Sequence, residues 1–239
     1  MLQKTKGIVL KTTRFSESSI VAKIYTENLG LQTYLINGVR SAKSKGKAAL
    51  YQHGNVLEMV VYHKENATMQ RISEAKLFLS YHSVHFDVIK GSVLLFCIEL
   101  LNKALKEHLP HEELFQFCEY AFAFLDETNH SVSNFHLSFM ITLSKHLGFA
   151  PAAVEKQFFD LQDGVFTDVQ PQEHTFLEGK LTSLFVLFLK SHYDSAHTIS
   201  VSAIERKQLL NAMITYFKLH LEDFGEMHSP QILSEILRS

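Results

Sequence analysis

The chain has 239 residues, of which 46% are hydrophobic, so it is long enough to bury one or two cores. Its longest uninterrupted apolar runs, such as residues 184–189, have six residues, which is too short to span a membrane. The net charge of −2 conceals two opposite halves, because residues 1–80 carry 12 Lys/Arg and 5 Asp/Glu, whereas residues 81–239 carry 11 and 20. A basic amino-terminal part joined to an acidic remainder indicates a polyanion-binding module attached to a different kind of module.

The first 80 residues predict five β-strands. The candidate segments are short, rich in β-branched residues and free of proline, and they lie at residues 7–13, 19–26, 31–37, 56–63 and 67–74. In the second segment, Ile20, Ala22 and Ile24 recur at every other position, as expected for a strand with one buried face. Five strands in about 80 residues favour a small closed barrel of the OB type, and an SH3-like barrel is the structural alternative.

From about residue 83 the hydrophobic period changes from two to three or four, which predicts helices. The helical stripes lie around residues 93–105, 114–125, 135–143, 181–189, 202–221 and from 229 onwards. Residues 150–180 break this pattern and are predicted to form an irregular excursion or a small hairpin. These patterns together predict an α+β protein, with an all-β OB-fold barrel at residues 1–80 followed by an all-α helical domain at residues 81–239.

Sequence motifs for catalysis are missing. Gly46-Lys47 is followed by Ala48 and lacks the upstream glycine of a phosphate-binding loop, and neither G-x-S-x-G nor H-E-x-x-H occurs. The 14 histidines include closely spaced pairs, but no set of cysteines accompanies them, and Cys97 and Cys118 are expected to be buried thiols. We therefore expect no enzymatic activity, no cofactor and no bound metal.

The lysines and arginines of the first module predict contacts with nucleic-acid phosphates, because such cations neutralise phosphate charge and release counterions. The densest stretch runs from Arg40 to Lys47, and no acidic residue occurs between Asn28 and Tyr51. A tyrosine on a neighbouring strand would add a ring on which bases stack. The candidate contacts are Lys6, Lys11, Arg14, Lys23, Tyr34, Arg40, Lys43, Lys45 and Lys47. The alternative interpretation of the same pattern is an OB-fold RNA-binding protein of translation or ribosome assembly.

The first module also carries several short motifs in a fixed order. They are Arg14-Phe-Ser-Glu17-Ser-Ser19, then Tyr25-Thr-Glu27 with Gly30, then Gly38-Val-Arg40 with Lys43-Ser44, and finally Leu50-Tyr-Gln52. Over about residues 5–55, their order and spacing resemble the amino-terminal signature of the bacterial recombination mediator family RecO. The second half is similar to that family more loosely, in its helical character and in Leu147-Gly148-Phe149 followed by Pro151.

The resemblance implies a non-enzymatic mediator of DNA repair and recombination with an amino-terminal OB-fold and a helical carboxy-terminal domain. Such a mediator binds single- and double-stranded DNA and anneals complementary strands. With RecR it helps to load RecA onto DNA coated by single-stranded-DNA-binding protein. The expected partners are therefore DNA, RecR, single-stranded-DNA-binding protein and, indirectly, RecA, and the expected location is cytoplasmic, in association with the nucleoid.

Two departures from the family pattern stand out. Many members carry a four-cysteine zinc site after the Leu-Gly-Phe-like stretch, but residues 158–177 contain no cysteine, so we expect this zinc site to be lacking. Asn37 occupies the position before Gly38 where the family commonly has lysine, which removes one cation from the presumed DNA surface.

The acidic helical half is a poor partner for DNA, and the resemblance implies a protein-docking role for it. An apolar pocket there would take the acidic carboxy-terminal tail of single-stranded-DNA-binding protein. Such a pocket needs a nearby cation to pair with the tail. The candidate cations are Lys103, Lys106, Arg206 and Lys207.

Overall fold

A computed structural model of the chain describes residues 1–39, 46–65, 67–106, 109–172 and 175–238. The backbone forms two compact units. The barrel unit comprises Met1–His82 and Ile98–Ala123, and the helical unit comprises Ser83–Cys97 and Phe124–Ser239. These units differ from a linear division after residue 80, because a helical segment from the second half of the chain belongs to the barrel unit.

Five strands of the barrel unit lie within the described residues. They are β1 (Leu2–Arg14), β2 (Ile20–Thr26), β3 (Gly30–Ile36), β4 (Val56–Tyr62) and β5 (Gln70–Leu77). They close into a barrel in the order β1-β2-β3-β5-β4, in which only β3 and β5 are paired in parallel. The α+β class and the OB-like barrel predicted from the sequence are confirmed.

The strand β1 is long enough to pair with two neighbours, β4 along its first half and β2 along its second. Gly7 takes part in both pairings, opposite Leu57 and Thr26. A Cβ atom at Gly7 would lie 2.5 Å from Cε of Met59 and 2.6 Å from Cγ2 of Ile24. The barrel therefore closes tightly around a position that has no room for a side chain.

The barrel core is a cluster of buried, mostly apolar side chains. Its buried members are Val9, Ile20, Ala22, Ile24, Tyr34, Ile36, Val39, Tyr51, Leu57, Met59 and Val61. The alternation predicted for β2 is confirmed, since Ile20, Ala22 and Ile24 all belong to this cluster.

A short helix, α1 (Lys47–Leu50), lies between β3 and β4. The chain that follows it runs beside β1, where Oγ1 of Thr12 donates to the carbonyl of Tyr51 at 2.8 Å. Further along, the N–H of Gly54 donates to the carbonyl of Val9 at 2.9 Å. These bonds hold the return from α1 against the second half of β1.

Two helices, α2 (Val88–Ala104) and α3 (Glu112–Glu127), contribute residues to both units. In the barrel unit, the ring of Tyr25 on β2 packs against Phe115 with centroids 5.8 Å apart. The Tyr25 hydroxyl donates to the carbonyl of His111 at 3.1 Å. The outer face of β2 is therefore partly covered by the helical segment of its own unit.

The described part of the helical unit contains four further α-helices. They are α4 (Phe135–His146), α5 (Lys180–Lys190), α6 (Ala203–His220) and α7 (Ser229–Ile236). The predicted capping box opens α6, because Glu205 N–H donates to Ser202 Oγ and Ser202 N–H donates to the Glu205 carboxylate. None of the helices in the described residues is long and apolar enough to cross a membrane.

Residues 150–180, predicted to be irregular or a small hairpin, instead contain a three-stranded antiparallel sheet. Its strands are β6 (Phe158–Asp160), β7 (Val165–Thr167) and β8 (Phe176–Glu178), in the order β7-β6-β8. Phe159 of the central strand packs against Phe166 and Phe185, with both centroid distances 4.7 Å. Strands of three residues are too short to show alternation in the sequence, which is why the prediction missed them.

Candidate nucleic-acid interface

The register of β1 and β2 places Lys11 directly opposite Lys23 on the outside of the barrel. Burial lowers the pKa of Lys23, and the charges of Lys106, just beyond α2, and of Lys11 lower it further. The ammonium groups of Lys11 and Lys106 therefore each lie near enough to that of Lys23 to repel it. We call Lys11, Lys23 and Lys106 the basic face.

Among the described residues, no carboxylate offsets the charges of Lys11 and Lys23 at short range. Within the described ranges, no acidic oxygen lies within 4.0 Å of either amino group, and Lys23 instead donates to the carbonyl of Asn102 at 3.4 Å. The Nε2 atom of His53 accepts the N–H of Thr12 at 3.1 Å. Burial and the charge of Lys11 lower the pKa of His53, and its ring does not supply a negative charge that would offset the lysines. A bound anion would relieve the repulsion within the basic face.

The loop between β1 and β2 adds a cation and an aromatic ring at the end of β1. Arg14 ends the strand, and Phe15 follows it with 59% of its surface exposed. The N–H groups of Phe15 and Ser16 both donate to the carbonyl of Ser19, at 3.0 and 3.2 Å. Oγ of Ser19 donates to Oδ1 of Asn37 at 3.1 Å, which joins this loop to the segment that follows β3.

The densest basic stretch of the sequence is placed only in part. Lys47 is exposed at the first position of α1. Arg40, Lys43 and Lys45 lie outside the described residues, so their roles stay predictions. The strand β3, which precedes this stretch, ends at the same end of the barrel as the β1–β2 loop.

Lys6 differs from Lys11 on the same strand because carboxylates already engage it. Its Nζ lies 2.8 Å from Oε2 of Glu119 and 3.9 Å from Oε1 of Glu27. The same amino group lies 4.2 Å from the centroid of the Phe78 ring. A contact between Lys6 and a DNA phosphate would have to compete with this ion pair.

The prediction that Tyr34 stacks on bases is wrong for this fold. Its side chain is fully buried in the barrel core, and burial raises the pKa of its hydroxyl. Alternation along β3 puts Tyr34 on the same face as Ile36, which also points inwards. Tyr25 and Tyr51 are buried as well, so none of these three rings is available to a base.

Two residues of this surface were not among the predicted nucleic-acid contacts. Phe15 lies between two strands and therefore belongs to no periodic pattern, although its place in a serine-rich turn after Arg14 marks an exposed loop. Lys106 is far from β1 and β2 in the sequence, and only the fold brings its charge near Lys23. No sequence signal could have found that second relationship.

The helical unit contains a separate pocket of about 360 Å³ beside α6 and α7. Its lining includes the apolar residues Ile204, Leu233 and Leu237 and the cations Arg206, Lys207 and Arg238. The guanidinium of Arg206 is fixed in place, since Nε donates to Oδ1 of Asn134 at 3.0 Å and Nη1 donates to the carbonyl of Leu237 at 3.2 Å. The pocket thus combines an apolar wall with oriented positive charge.

His136 of α4 also lines this pocket and is fully buried. Neither of its ring nitrogens has a hydrogen-bond partner among the described residues, and the ring packs edge-on against Phe96 at 5.6 Å. Burial, followed by the charge of Arg206, lowers the pKa of His136 to about 3. The ring is therefore neutral near pH 7, and the pocket draws its charge from the arginines and Lys207.

The described residues offer no further reactive centre. They contain no group of three or more His, Cys, Asp or Glu side chains placed to hold a metal ion. Cys97 and Cys118 are buried free thiols, and burial raises the pKa of Cys118, which disfavours its reactive thiolate.

Two family models match the sequence. The model for "Recombination protein O N terminal" matches residues 1–81, and the model for "Recombination protein O C terminal" matches residues 85–230. The first match covers all five strands of the barrel, and the second begins shortly before α2. Together they extend over most of the chain.

Curated relatives are similar over the whole length of the chain. The DNA repair protein RecO of Christiangramia forsetii is 36% identical over 239 residues, which cover 99% of each chain. The DNA repair proteins RecO of Phocaeicola vulgatus and Flavobacterium psychrophilum are 34% and 33% identical, covering 99% and 98% of each chain respectively. The similarity therefore extends over both units.

Proposed function

Because this chain belongs to the RecO family of DNA repair proteins, we propose that its barrel unit binds DNA and that it mediates recombination without catalysing a reaction. Family membership shows a role in DNA repair and recombination. The observation that carries the proposal of DNA binding is the cross-strand pair of Lys11 and Lys23. No acidic side chain in the described part of the chain neutralises this pair at salt-bridge distance.

The proposed DNA surface is a set of cations that contact phosphates rather than base edges. Its members are Lys11, Arg14, Lys23, Arg40, Lys43, Lys45 and Lys47. Each phosphate contact releases condensed counterions, so the affinity for DNA should fall steeply with salt and depend little on sequence. Lys6 is left out because Glu119 and Glu27 already engage its charge.

The same surface would serve both single- and double-stranded DNA, since both present phosphates. Two strands held on one positive surface repel each other less, which favours annealing of complementary strands. In keeping with the family, the mediator would work with RecR to load RecA onto DNA coated by single-stranded-DNA-binding protein. The matches are to DNA repair proteins, and no observation favours the RNA-binding alternative.

The test is the salt dependence of duplex DNA affinity for the full chain. Replacing Lys11 and Lys23 by glutamine should flatten the slope of log affinity against log salt by about two units, since each phosphate contact contributes about 0.9. The matched control is a double replacement of Lys4 and Lys76 by glutamine. Lys4 is exposed, and Lys76 is already paired with Glu58 at 2.7 Å. An unchanged slope in the Lys11 and Lys23 variant would contradict the proposal.

A second pair of substitutions tests the stretch outside the described residues. Removing the charges of Arg40 and Lys43 should flatten the same slope by about one to two units. If that slope keeps its original value, this stretch does not contact phosphates.

The pocket beside α6 and α7 supports a second part of the proposal, the docking of the acidic carboxy-terminal tail of single-stranded-DNA-binding protein. The apolar wall would hold an apolar end of the tail, and Lys207 and Arg238 would pair with its carboxylates. Arg206 lies at the same pocket. Lys103 and Lys106 are not among the residues that line this pocket.

Titration of a labelled acidic peptide with an apolar carboxy-terminal residue into the full chain tests the docking. Lys207→Glu should abolish binding by reversing a charge at the pocket. Lys218→Glu is the matched control on α6, because Lys218 already pairs with Glu226 at 2.6 Å. Absence of binding at micromolar peptide, or an equal loss in both variants, would count against the pocket.

A further inference from the structure

Phe15 presents a large apolar ring to solvent at the end of β1. The ring is 59% exposed, whereas Phe96 and Phe115 are buried. The other exposed phenylalanines of the described residues are Phe78 and Phe86, at 41% and 85%. Exposure of such a ring gains nothing for folding, because an apolar side chain stabilises the fold only when it is buried. The ring therefore takes no part in the barrel core and is free to contact a ligand.

The loop that carries Phe15 is held by hydrogen bonds at both ends. The N–H of Phe15 donates to the carbonyl of Ser19 at 3.0 Å, and the N–H of Ser19 donates to Oγ of Ser16 at 3.2 Å. Oγ of Ser19 then donates to Asn37 across the barrel end. A ring on a backbone fixed in this way loses little conformational freedom when a flat ligand stacks on it.

The ring lies in a loop that follows Arg14 and contains the exposed Glu17, at the end of strands that carry further cations. Arg14 precedes it directly, and Lys11 and Lys23 lie opposite each other along the same pair of strands. A positive groove that tracks the backbone, together with an aromatic ring that meets the bases, is the combination by which proteins hold single-stranded nucleic acid. The loop between the first two strands is also one of the two loops with which OB-folds bind oligonucleotides.

We propose that Phe15 stacks on an unpaired base of a DNA strand whose phosphates lie along the basic face. This inference rests on the proposed function, and it adds that the surface distinguishes single strands from duplex. In a duplex the bases are already stacked on one another, so a ring can stack on a base only if two neighbouring base pairs are first unstacked, which costs free energy. Phe15 therefore favours single-stranded DNA and frayed ends.

Affinity measurements on the full chain separate stacking from phosphate contact. Phe15→Leu keeps an apolar side chain but removes the aromatic face, so affinity for a mixed-sequence single-stranded oligonucleotide should fall about tenfold. The salt slope should not change, and affinity for blunt duplex should stay the same. Phe15→Tyr should restore single-strand binding. Equal affinity of the Phe15→Leu variant and the original chain for the single strand would overturn the inference.

A spectroscopic measurement reports the contact directly, because the chain contains no tryptophan. Phe15→Trp introduces a single indole whose fluorescence should be quenched when the single-stranded oligonucleotide binds. Tyr62→Trp is the matched control, since Tyr62 is 48% exposed and lies opposite Leu2 at the other end of β1. Quenching at both positions, or at neither, would contradict a specific stack at Phe15.

Phosphate contact by Lys11 and Lys23 and base stacking by Phe15 can be refuted separately. If the Lys11 and Lys23 variant keeps its salt slope, the phosphate surface itself is refuted, whatever Phe15 does. If that slope flattens while Phe15→Leu binds the single strand normally, DNA binding stands and only the stacking inference is lost.

Discussion

Nζ of Lys6 on β1 donates to Oε2 of Glu119 on α3 at 2.8 Å, within the barrel unit. The Glu119 side chain is only 12% exposed, so loss of the Lys6 charge would leave a poorly solvated carboxylate without its donor. The contact joins the first strand of the barrel to the helical segment of the same unit. Lys6 therefore has a structural role that Lys11, on the same strand, lacks.

Lys6→Met should lower the free energy of unfolding by about 1–3 kcal/mol, because the Glu119 carboxylate stays largely buried without its cation. Urea unfolding measures this change. The slope of DNA affinity against salt should stay at its original value. A slope flattened by about one unit would instead identify Lys6 as a phosphate contact. In a Glu119→Gln background the loss should shrink, since the partner charge is already gone.

Tyr34→Phe should leave the barrel equally stable or stabilise it by about 1 kcal/mol, because it removes a buried hydroxyl. That hydroxyl has no hydrogen-bond partner among the residues with described positions. Thermal or urea unfolding measures the effect. DNA affinity should not change, since the ring is inside the barrel. A loss of DNA affinity without loss of stability would show that the ring reaches DNA.

Tyr25→Phe is the contrasting variant for the same measurement. Its hydroxyl donates to the carbonyl of His111, so its removal should destabilise the barrel unit by about 1 kcal/mol. A loss of stability in Tyr25→Phe without a loss in Tyr34→Phe would confirm the two environments. Equal effects would contradict them.

Gly7→Ala should destabilise the barrel by about 1–3 kcal/mol, because the new Cβ atom overlaps Ile24 and Met59. The tip of Met59 can move aside, but Cγ2 of Ile24 is attached directly to a β-branched carbon on β2. The cost should therefore be smaller in an Ile24→Ala background, as a double-mutant cycle of urea unfolding would show. Purely additive losses would mean that Gly7 is required for another reason.

The stability of the helical unit should fall as the pH drops below about 6.5, the ordinary pKa of histidine. The pKa of His136 is lowered to about 3 in the folded protein. Because the unfolded chain takes up this proton first, the contribution of His136 is complete above pH 6.5 and declines as pH falls towards 3. Between pH 6.5 and pH 5 the loss is about 2 kcal/mol at 1.36 kcal/mol per pH unit.

His136→Phe should remove this part of the pH dependence while keeping the edge-on contact with Phe96. Urea unfolding at several pH values compares the variant with the original chain. His130→Gln serves as the control replacement of a histidine, because the His130 side chain is exposed rather than buried. If the His136→Phe curve keeps the original steepness, other groups cause the acid sensitivity.

Much of the barrel and of the helices could be predicted from the sequence, because their patterns involve near neighbours. The alternation of Ile20, Ala22 and Ile24 was enough to place β2, and the pairing of Ser202 with Glu205 was enough to place the start of α6. The three-residue strands around Phe159 could not be predicted, because they contain too few positions to show the alternation of a strand.

The sequence also shows that basic residues are concentrated in its first 80 positions, but it could not decide what each of them faces. The basic residues near Tyr34 predict a position on the surface, whereas its alternation with Ile36 places its ring in the core. From the sequence, Asn37 is interpreted as the loss of a cation. In the structure its Oδ1 accepts a hydrogen bond from Oγ of Ser19.

The sequence by itself determined the α+β class, the five-stranded barrel, the position of the helices and the concentration of positive charge in the first 80 residues. Only the tertiary structure decided that Glu119 engages Lys6 while Lys11 and Lys23 face each other beside Lys106. The physical reason is that periodicity depends on adjacent residues, whereas the state of a charge depends on distances between groups that the fold brings together.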